Sequence, residues 1–381
     1  MYPKRKIVII QNRLTHFRKP FFERLKNELN LSGIKLVLIY GQPSRQDMAK
    51  HDNVIISWGI EVRNKIIKLG KYNLVWQPCI SYLGDADLII VEQASKLLLN
   101  YWLFFTQPFR KAKLCFWGHG KNFQALHVNR FGERIKRWMS RHVHWWFAYN
   151  DLSARVILSL GFDERRITSV QNSVDNEENM RLYDQITEDE INRFGKENDI
   201  VSTNICLYTG SLYPEKRIVY LLECCHLIRS KIPDFEMIII GAGPDAHFIE
   251  KELTQNRWIH YFGPRFEADK LIYFKVAKLL LMPGLVGLAI VDAFDFETPI
   301  VTTDVPYHSP EIDYLIPNTN GIMLKDLDDK EQYANTVVDI MLNTDKLENL
   351  KEGCRKARRK YTVLEMVNRF SLGIHKALEK K

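Results

Sequence analysis

A glycine-bearing segment at 281–301 is the part of the sequence best suited to bind a phosphate. A buried strand leads into a loop with Gly284 and Gly287, and a helical pattern follows. Glycines let an oxygen approach the backbone, and free N–H groups where a helix begins attract anions. Asp292 would then accept hydrogen bonds from a ribose. Packing alone would explain the same glycines. The N–H groups predicted to bind phosphate are those of Leu285, Val286, Gly287 and Leu288.

A second segment places two cations where a loop turns into a helix. Gly210 and Ser211 follow a strand pattern, and Lys216 and Arg217 precede the helix. A phosphate is a natural ligand for this arrangement, although surface lysines are usually only solvated. The nearby stretch 238–244 resembles the start of a dinucleotide fingerprint but lacks its third glycine, so it predicts only a tight turn.

Strand-like and helix-like segments alternate along the chain and predict an α/β fold. Short apolar runs separated by helical patterns indicate parallel sheets with helices on both faces. We predict two Rossmann-like, doubly wound domains facing a central cleft, where ligands of such folds bind. The expected parts are an N-terminal domain at 1–175, an acidic linker at 176–199, a C-terminal domain at 200–360, and a helix at 361–381 that could return to the first domain.

Composition narrows the class of protein. The 381 residues exceed one ordinary core, and 46% hydrophobic with 26% charged residues is typical of globular proteins. No apolar run approaches the roughly 20 residues that a membrane-spanning helix needs. The N-terminus predicts a first strand and no secretory signal. Six scattered cysteines without a C-x-x-C pair favour a reducing, cytoplasmic location.

Basic and aromatic residues are concentrated in one stretch of the first half. Residues 101–150 contain nine Lys or Arg and one acid, within a net charge of +8. Such a stretch suits an anionic partner, and aromatic neighbours favour a membrane surface over nucleic acid, for which no motif is present. An ordinary core helix with a basic solvated face is the alternative. The aromatic and apolar candidates are Tyr101, Trp102, Phe104, Phe105, Phe131, Ile135, Trp138 and Met139.

The first half also offers candidate site residues at strand ends. His119 lies between two glycines just after the strand pattern 114–117, although a lone histidine is often structural. His16 and Arg18 follow the first strand, so their loop should face the cleft.

Together these segments resemble the retaining, group 1 (family 4) glycosyltransferases of the GT-B fold. The resemblance covers most of the second half and departs at Ser211, where the family has arginine. The family's two glutamates seven residues apart appear here as Gly284 and Asp292. The motifs that carry the resemblance are Gly210-Ser211-Leu212, Glu215-Lys216, Ile240-Gly241-Ala242-Gly243-Pro244, Phe262-Gly263, Pro283, Gly287-Leu288, Pro299-Ile300-Val301, Pro310-Glu311-Ile312 and Asn320-Gly321.

The resemblance implies a role for each matching residue. Lys216 would bind the donor diphosphate, and Arg217 would replace the charge of the absent arginine. The amides of 285–288 would hold the phosphates, Asp292 would hold the ribose, and Gly284 removes a carboxylate that would face the donor sugar. The position of His119 matches an active-site histidine of the N-terminal domain. The resemblance also implies that the N-terminal domain binds the acceptor, with His16 and Arg18 in contact with it, and that the C-terminal domain binds the nucleotide sugar.

These observations predict a metal-independent glycosyltransferase without a cofactor. It would move a sugar, with retention, from a nucleoside diphosphate sugar to a hydroxyl of a glycan or lipid-linked acceptor. Bacterial-type surface polysaccharide or lipopolysaccharide assembly at the inner face of the cytoplasmic membrane would be its setting. A sugar-nucleotide epimerase of the same fold and a degenerate, non-catalytic sugar-nucleotide-binding protein are the alternatives.

Overall fold

The chain folds into two units. The computed structural model describes residues 5–43, 48, 53–70, 72–120 and 130–380. The first unit comprises Met1–Asp175 and Thr362–Lys381, and the second comprises Asn176–Tyr361. All six cysteines are buried and none forms a disulfide.

The strands and helices follow one another in the alternating order that the sequence predicts. The strands are β1 Arg5–Gln11, β2 Ile34–Gly41, β3 Ile60–Val62, β4 Lys65–Leu69, β5 Tyr72–Trp76, β6 Leu88–Glu92, β7 Lys113–Gly118, β8 Trp145–Ala148, β9 Ile167–Ser169, β10 Ile205–Thr209, β11 Glu236–Ile240, β12 Ile259–Tyr261, β13 Leu279–Leu281, β14 Ile300–Thr303 and β15 Gly321–Leu324. The helices are α1 Lys19–Leu31, α2 Leu98–Phe105, α3 Arg130–His142, α4 Asp151–Ser159, α5 Glu177–Gln185, α6 Glu188–Glu197, α7 Ile218–Lys231, α8 Ala246–Leu253, α9 Leu271–Val276, α10 Ala289–Asp295, α11 Lys330–Leu342, α12 Thr344–Arg358 and α13 Val363–Glu379.

A seven-stranded parallel sheet forms the centre of the first unit. Its strand order is β3-β2-β1-β6-β7-β8-β9, and β4 and β5 form a separate antiparallel ribbon. The strands β1, β6 and β7 are buried runs of Val, Ile, Leu, Cys and Phe, as parallel strands covered on both faces should be. Their carboxyl ends lie at one edge of the sheet, where ligands of such folds bind.

The C-terminal helix α13 packs in the first unit. Phe370 stacks on Phe147 with ring centroids 4.3 Å apart and lies 5.0 Å from Trp117 and 5.3 Å from Phe21. Met366, Phe370 and Ile374 recur at four-residue spacing, which puts them on one buried face of the helix. The last helix therefore completes the core of the unit that begins the chain.

The second unit is built on a six-stranded parallel sheet. Its order is β12-β11-β10-β13-β14-β15. This order reverses direction between β10 and β13, and in open α/β sheets the ligand binds beside the carboxyl ends of the strands at such a switch point. The segments 210–217 and 282–288 follow these two strands directly.

The acidic segment 176–199 differs from the separate linker that the sequence suggested. It forms α5 and α6, which belong to the second unit. The Tyr183 hydroxyl donates to the Phe296 carbonyl at 2.9 Å, and the Phe194 ring lies 5.3 Å from the Tyr273 ring. These aromatic side chains anchor a segment that the sequence predicted to be an acidic connector.

We predict that Phe370→Ala destabilises the first unit by about 3–5 kcal/mol, because a buried aromatic ring leaves a cavity. Leu372→Ala on the same helix is the matched control, since its side chain is 53% exposed and should cost about 0.5 kcal/mol or less. Urea denaturation of both variants measures the difference. Equal effects would contradict the packing described for α13.

Candidate functional site

Two loops pack closely where strands β10 and β11 end. A Cβ at Gly241 would lie 1.9 Å from the Gly210 carbonyl oxygen, and one at Gly243 would lie 2.0 Å from the Leu212 carbonyl oxygen. The Leu212 amide also donates to the Ala242 carbonyl at 2.9 Å. These glycines therefore serve backbone packing, and Ser211 lies in the loop that they support.

Lys216 is a buried cation. It ends the 3-10 turn Pro214–Lys216, has only 7% of its surface exposed, and donates from Nζ to the Leu285 carbonyl at 2.6 Å. Burial lowers the pKa of Lys216 to about 8, because the charged form loses hydration. A bound phosphate would stabilise the charged ammonium group, because its negative charge would compensate for the lost hydration.

Gly284 fits against the turn that carries Lys216. A Cβ at Gly284 would lie 2.3 Å from the Glu215 carbonyl oxygen and 2.5 Å from the Lys216 carbonyl carbon. The neighbouring Leu285 amide donates to the same Glu215 oxygen at 2.8 Å. The sequence suggested that Gly284 makes room for a ligand oxygen. The structure corrects this, since the chain's own backbone occupies that space.

The loop amides are only partly available to a ligand. Leu285 N–H is bonded to Glu215, and Val286 N–H donates to His308 Nδ1 at 3.0 Å. Burial lowers the pKa of His308, which favours the neutral ring that this bond needs, while Nε2 bonds the Thr303 carbonyl at 2.7 Å.

Gly287 and Leu288 complete the loop. Across the ranges that the structure describes, no acceptor is found for their N–H groups. The predicted four-amide anion site is therefore reduced to these two.

Asp292 lies in a charged cluster that the sequence analysis missed. Its carboxylate accepts from Lys270 Nζ at 2.7 Å and from Asn176 Nδ2 at 2.8 Å. Asn176 Nδ2 also donates to Asp295 at 2.8 Å, and burial raises the pKa of Asp295 to about 7. The three-residue spacing of the two aspartates on α10 indicates in the sequence that both lie on one face of the helix. Lys270 and Asn176 are remote in sequence, so the sequence does not link them to these aspartates.

Arg217 is engaged away from the loop. Its guanidinium donates to the Leu327 carbonyl and to Asp328, each at 2.6 Å, and lies 4.1 Å from the centroid of the Tyr220 ring. Its φ of 58° turns the backbone between the 3-10 turn and α7. The structure thus shows Arg217 bracing the turn that holds Lys216, in contrast to the predicted phosphate contact.

In the first unit, His119 and Arg18 meet at one aromatic ring. The His119 ring centroid lies 4.0 Å from that of Tyr149, and the Arg18 guanidinium carbon lies 5.7 Å from the same centroid. Arg18 is only 8% exposed. His16 is half-buried, with its ring 5.8 Å from Phe17.

Two further features of the described residues concern metal binding and membrane binding. Over the described residues, no three His, Cys, Asp or Glu side chains are grouped as metal ligands would be. Among the helices that the structure describes, none has the length and apolar character needed to cross a membrane.

Comparison with known proteins finds one matching family model. Residues 203–343 match the family model "Glycosyl transferases group 1". No curated protein matches the chain.

Three solved structures resemble nearly the whole chain. Anabaena Alr3699/HepE in complex with UDP has a TM-score of 0.72 at 14% identity and covers 97% of this chain and 99% of its own. A glycosyltransferase from Rickettsia africae ESF-5 has a TM-score of 0.69 at 15% identity over 100% of both chains. Pneumococcal O-GlcNAc transferase GtfA, in complex with UDP and GlcNAc, has a TM-score of 0.67 at 11% identity over 99% of this chain and 100% of its own.

The two units thus have the GT-B fold of these glycosyltransferases, as the sequence predicted. The residues that match the group 1 glycosyltransferase family model lie within the second unit.

We predict that Gly284→Ala destabilises the second unit by about 1–3 kcal/mol, because its Cβ would overlap backbone atoms that have little freedom to move. Gly287→Ala is the control, since its Cβ would find Ser309 Oγ at an ordinary 3.5 Å. Calorimetric melting of the two variants measures the effect. A Gly284→Ala variant as stable as Gly287→Ala would refute the close packing.

Proposed function

We propose that the protein transfers a sugar from a nucleoside diphosphate sugar to a hydroxyl of a glycan or lipid-linked acceptor, with retention and without a metal. The observation that carries this proposal is the buried Lys216 ammonium beside the loop 284–288, within the matched glycosyltransferase domain. Structures of HepE and GtfA in complex with UDP support uridine as the first nucleoside to test.

Charge on the leaving diphosphate would be stabilised by Lys216 and the amides of Gly287 and Leu288. Preorganised donors in a water-poor site are effective at this task. An anion near Lys216 would raise its pKa from about 8 and so keep it charged at neutral pH. Retention follows from the family resemblance, and the amides and ammonium would take the place of a metal ion.

Asp292 would accept hydrogen bonds from the ribose of the donor. Its carboxylate also bonds Lys270 and Asn176, so these two residues would fix its orientation. In the first unit, we propose that His16 and Arg18 contact the acceptor and that His119 supports turnover.

We predict that Lys216→Met weakens UDP binding by about tenfold or more, because a charge-assisted hydrogen bond to phosphate contributes about 1.5–3 kcal/mol. Methionine keeps the length of the buried side chain. Isothermal titration of wild type and variant measures the change, with GDP, ADP, CDP and TDP tested alongside UDP.

Lys330→Met is the control for this experiment, because Lys330 forms a half-exposed pair with Glu223 in the same unit. An unchanged nucleotide dissociation constant in a folded Lys216→Met variant would remove Lys216 from the site. Nucleotide binding without any sugar transfer would favour the non-catalytic alternative.

An exposed aromatic patch supports peripheral membrane contact. We define this aromatic patch as Phe105, Phe109 and Trp138, which are 58%, 89% and 47% exposed. The Trp138 ring lies 6.1 Å from that of Phe105. Met139, another of the aromatic and apolar candidates, is instead buried, so these candidates divide between core and surface. The side chain of Phe131 lies outside the described residues.

Cations accompany the aromatic patch. Lys111 on the adjoining loop is exposed, as are the arginines at 134, 137 and 141 on α3. Aromatic rings at the headgroup level and cations above them suit an anionic bilayer, each cation contributing about 1 kcal/mol. We propose that this surface docks on the cytoplasmic membrane, where a lipid-linked acceptor for polysaccharide or lipopolysaccharide assembly would be found.

We predict that Phe109→Ser reduces binding to phosphatidylglycerol-containing vesicles by about tenfold, because an inserted phenyl ring gains about 1.5–3 kcal/mol. Vesicle co-sedimentation measures the binding. Leu342→Ser is the control, since Leu342 is 63% exposed in the second unit. If both variants bind as the wild type does, the aromatic patch does not dock on the membrane.

A further inference from the structure

The backbone of Val286, in the middle of the loop 284–288, is bound through both of its polar groups by the segment that follows β14. Its N–H donates to His308 Nδ1 at 3.0 Å, and its carbonyl accepts from the Ser309 N–H at 3.0 Å. Val286 and His308 are both buried, with 0% and 6% of their surfaces exposed. The direction in which the loop continues beyond Val286 therefore depends on these two residues.

The carboxyl end of β14 supports His308. The His308 Nε2 bonds the Thr303 carbonyl at 2.7 Å. The Thr303 hydroxyl donates to the Pro283 carbonyl at 2.5 Å and accepts from Arg217 Nη1 at 3.3 Å. Because Thr303 is the last residue of a buried parallel strand, these hydrogen bonds tie the loop to the sheet, and His308 is the side chain that carries one of the two links.

The two hydrogen bonds of the His308 ring determine which protonation state fits the site. Nδ1 accepts a hydrogen bond, so it carries no proton, and the neutral ring has its proton on Nε2, which donates to the Thr303 carbonyl. A second proton would turn Nδ1 into a donor that faces the Val286 N–H, and that buried N–H would lose its acceptor. The neutral ring therefore holds the loop, and protonation would release it.

The surroundings of the ring favour its neutral form. Burial lowers the pKa of His308, and the hydrogen bond to the β14 carbonyl partly opposes this effect. Lys216, on the turn that packs against the loop, also opposes protonation, whereas Asp304 favours it. Arg217 adds a positive charge at the end of β14, and Glu311 is buried three residues further along the chain. The loop itself carries no titratable side chain.

We propose that His308 is a positioning residue of the nucleotide site, and that the loop binds a nucleoside diphosphate only while the His308 ring is neutral. The loop N–H groups proposed to bind phosphate, those of Gly287 and Leu288, follow Val286 directly, so release of Val286 would displace them. His308 acts through the backbone of the loop and does not itself contact the nucleotide. This inference rests on the proposed glycosyltransferase function and adds a regulation of that site, the release of nucleotide on acidification.

Two amide variants separate the roles of the two ring nitrogens. His308→Asn places an amide oxygen where the ring has Nδ1, so it keeps an acceptor for the Val286 N–H and cannot be protonated. His308→Gln places its amide near the position of Nε2 and loses that acceptor. The probe is whichever of UDP, GDP, CDP, ADP and TDP binds the full-length wild type most tightly near neutral pH, measured by isothermal titration.

Near neutral pH, His308→Asn should bind this nucleotide nearly as tightly as the wild type does. His308→Gln should bind it about tenfold more weakly, because the buried Val286 N–H loses its partner. His226→Gln is the matched control and should bind as the wild type does, since the His226 side chain on α7 is 45% exposed.

The pH dependence of binding is a readout that a merely structural role would not change. As the pH falls from about 7.5 to about 5, wild-type binding should weaken relative to His308→Asn, by about tenfold for each pH unit below the pKa of the ring, because protonated molecules cannot bind. The nucleotide phosphates, Lys216 and Asp295 are present in both measurements, so their titration cancels in the ratio of dissociation constants.

Thermal melting without nucleotide tests the protonation state independently. The pKa of His308 lies below its usual 6.5 in the folded state, so the unfolded chain takes up the proton first. Stability is therefore lost as the pH falls below 6.5. The melting temperature of the wild type should fall relative to that of His308→Asn over this range.

Two binding results would overturn the inference: a folded His308→Gln that binds as tightly as the wild type, or a ratio of wild-type to His308→Asn dissociation constants that does not change with pH. Equal loss of binding in both variants would also overturn it, because asparagine keeps the acceptor. A wild type that binds none of the five nucleotides would instead refute the proposed function, and the melting comparison would still show whether His308 is neutral in the fold.

Discussion

The close packing of the loop 284–288 on the turn 214–216 is the constraint on which the rest of the second unit's site depends. It requires a glycine at 284, because Glu215 and Lys216 backbone atoms occupy the space of a side chain. The same contact pairs Leu285 with both residues: its N–H bonds the Glu215 carbonyl, and its carbonyl accepts from Lys216. One approach of two backbones therefore fixes the loop and the buried cation together.

Desolvated ionisable groups also occur in the second unit. Burial places the pKa of Lys216 near 8 and that of Asp295 near 7, so each can change charge near neutrality. Perturbed groups of this kind concentrate at functional sites, although structural clusters also produce them. Lys216 lies at the carboxyl edge of its sheet, where parallel α/β folds bind ligands. Asp295 instead shares Asn176 with Asp292, which fits a supporting role.

The sequence predicted the fold because its signals are local. Buried Val, Ile and Leu runs and alternating helical patterns specify two parallel sheets, and the motif order from Gly210 to Asn320 resembles one family. The hydrogen bonds of the site could not be predicted in this way. The partners of Arg217 at 327 and 328, and those of Asp292 at 176 and 270, come from distant parts of the chain.

The central claim is that the second unit binds the donor nucleotide, and the most direct measurement is a thermal-shift comparison of UDP, GDP, CDP, ADP and TDP. A ligand that binds only the folded state raises the melting temperature by mass action. The account predicts a clear rise with one nucleoside diphosphate and smaller or no rises with the others. The absence of a shift with all five, in protein shown to be folded, would contradict it.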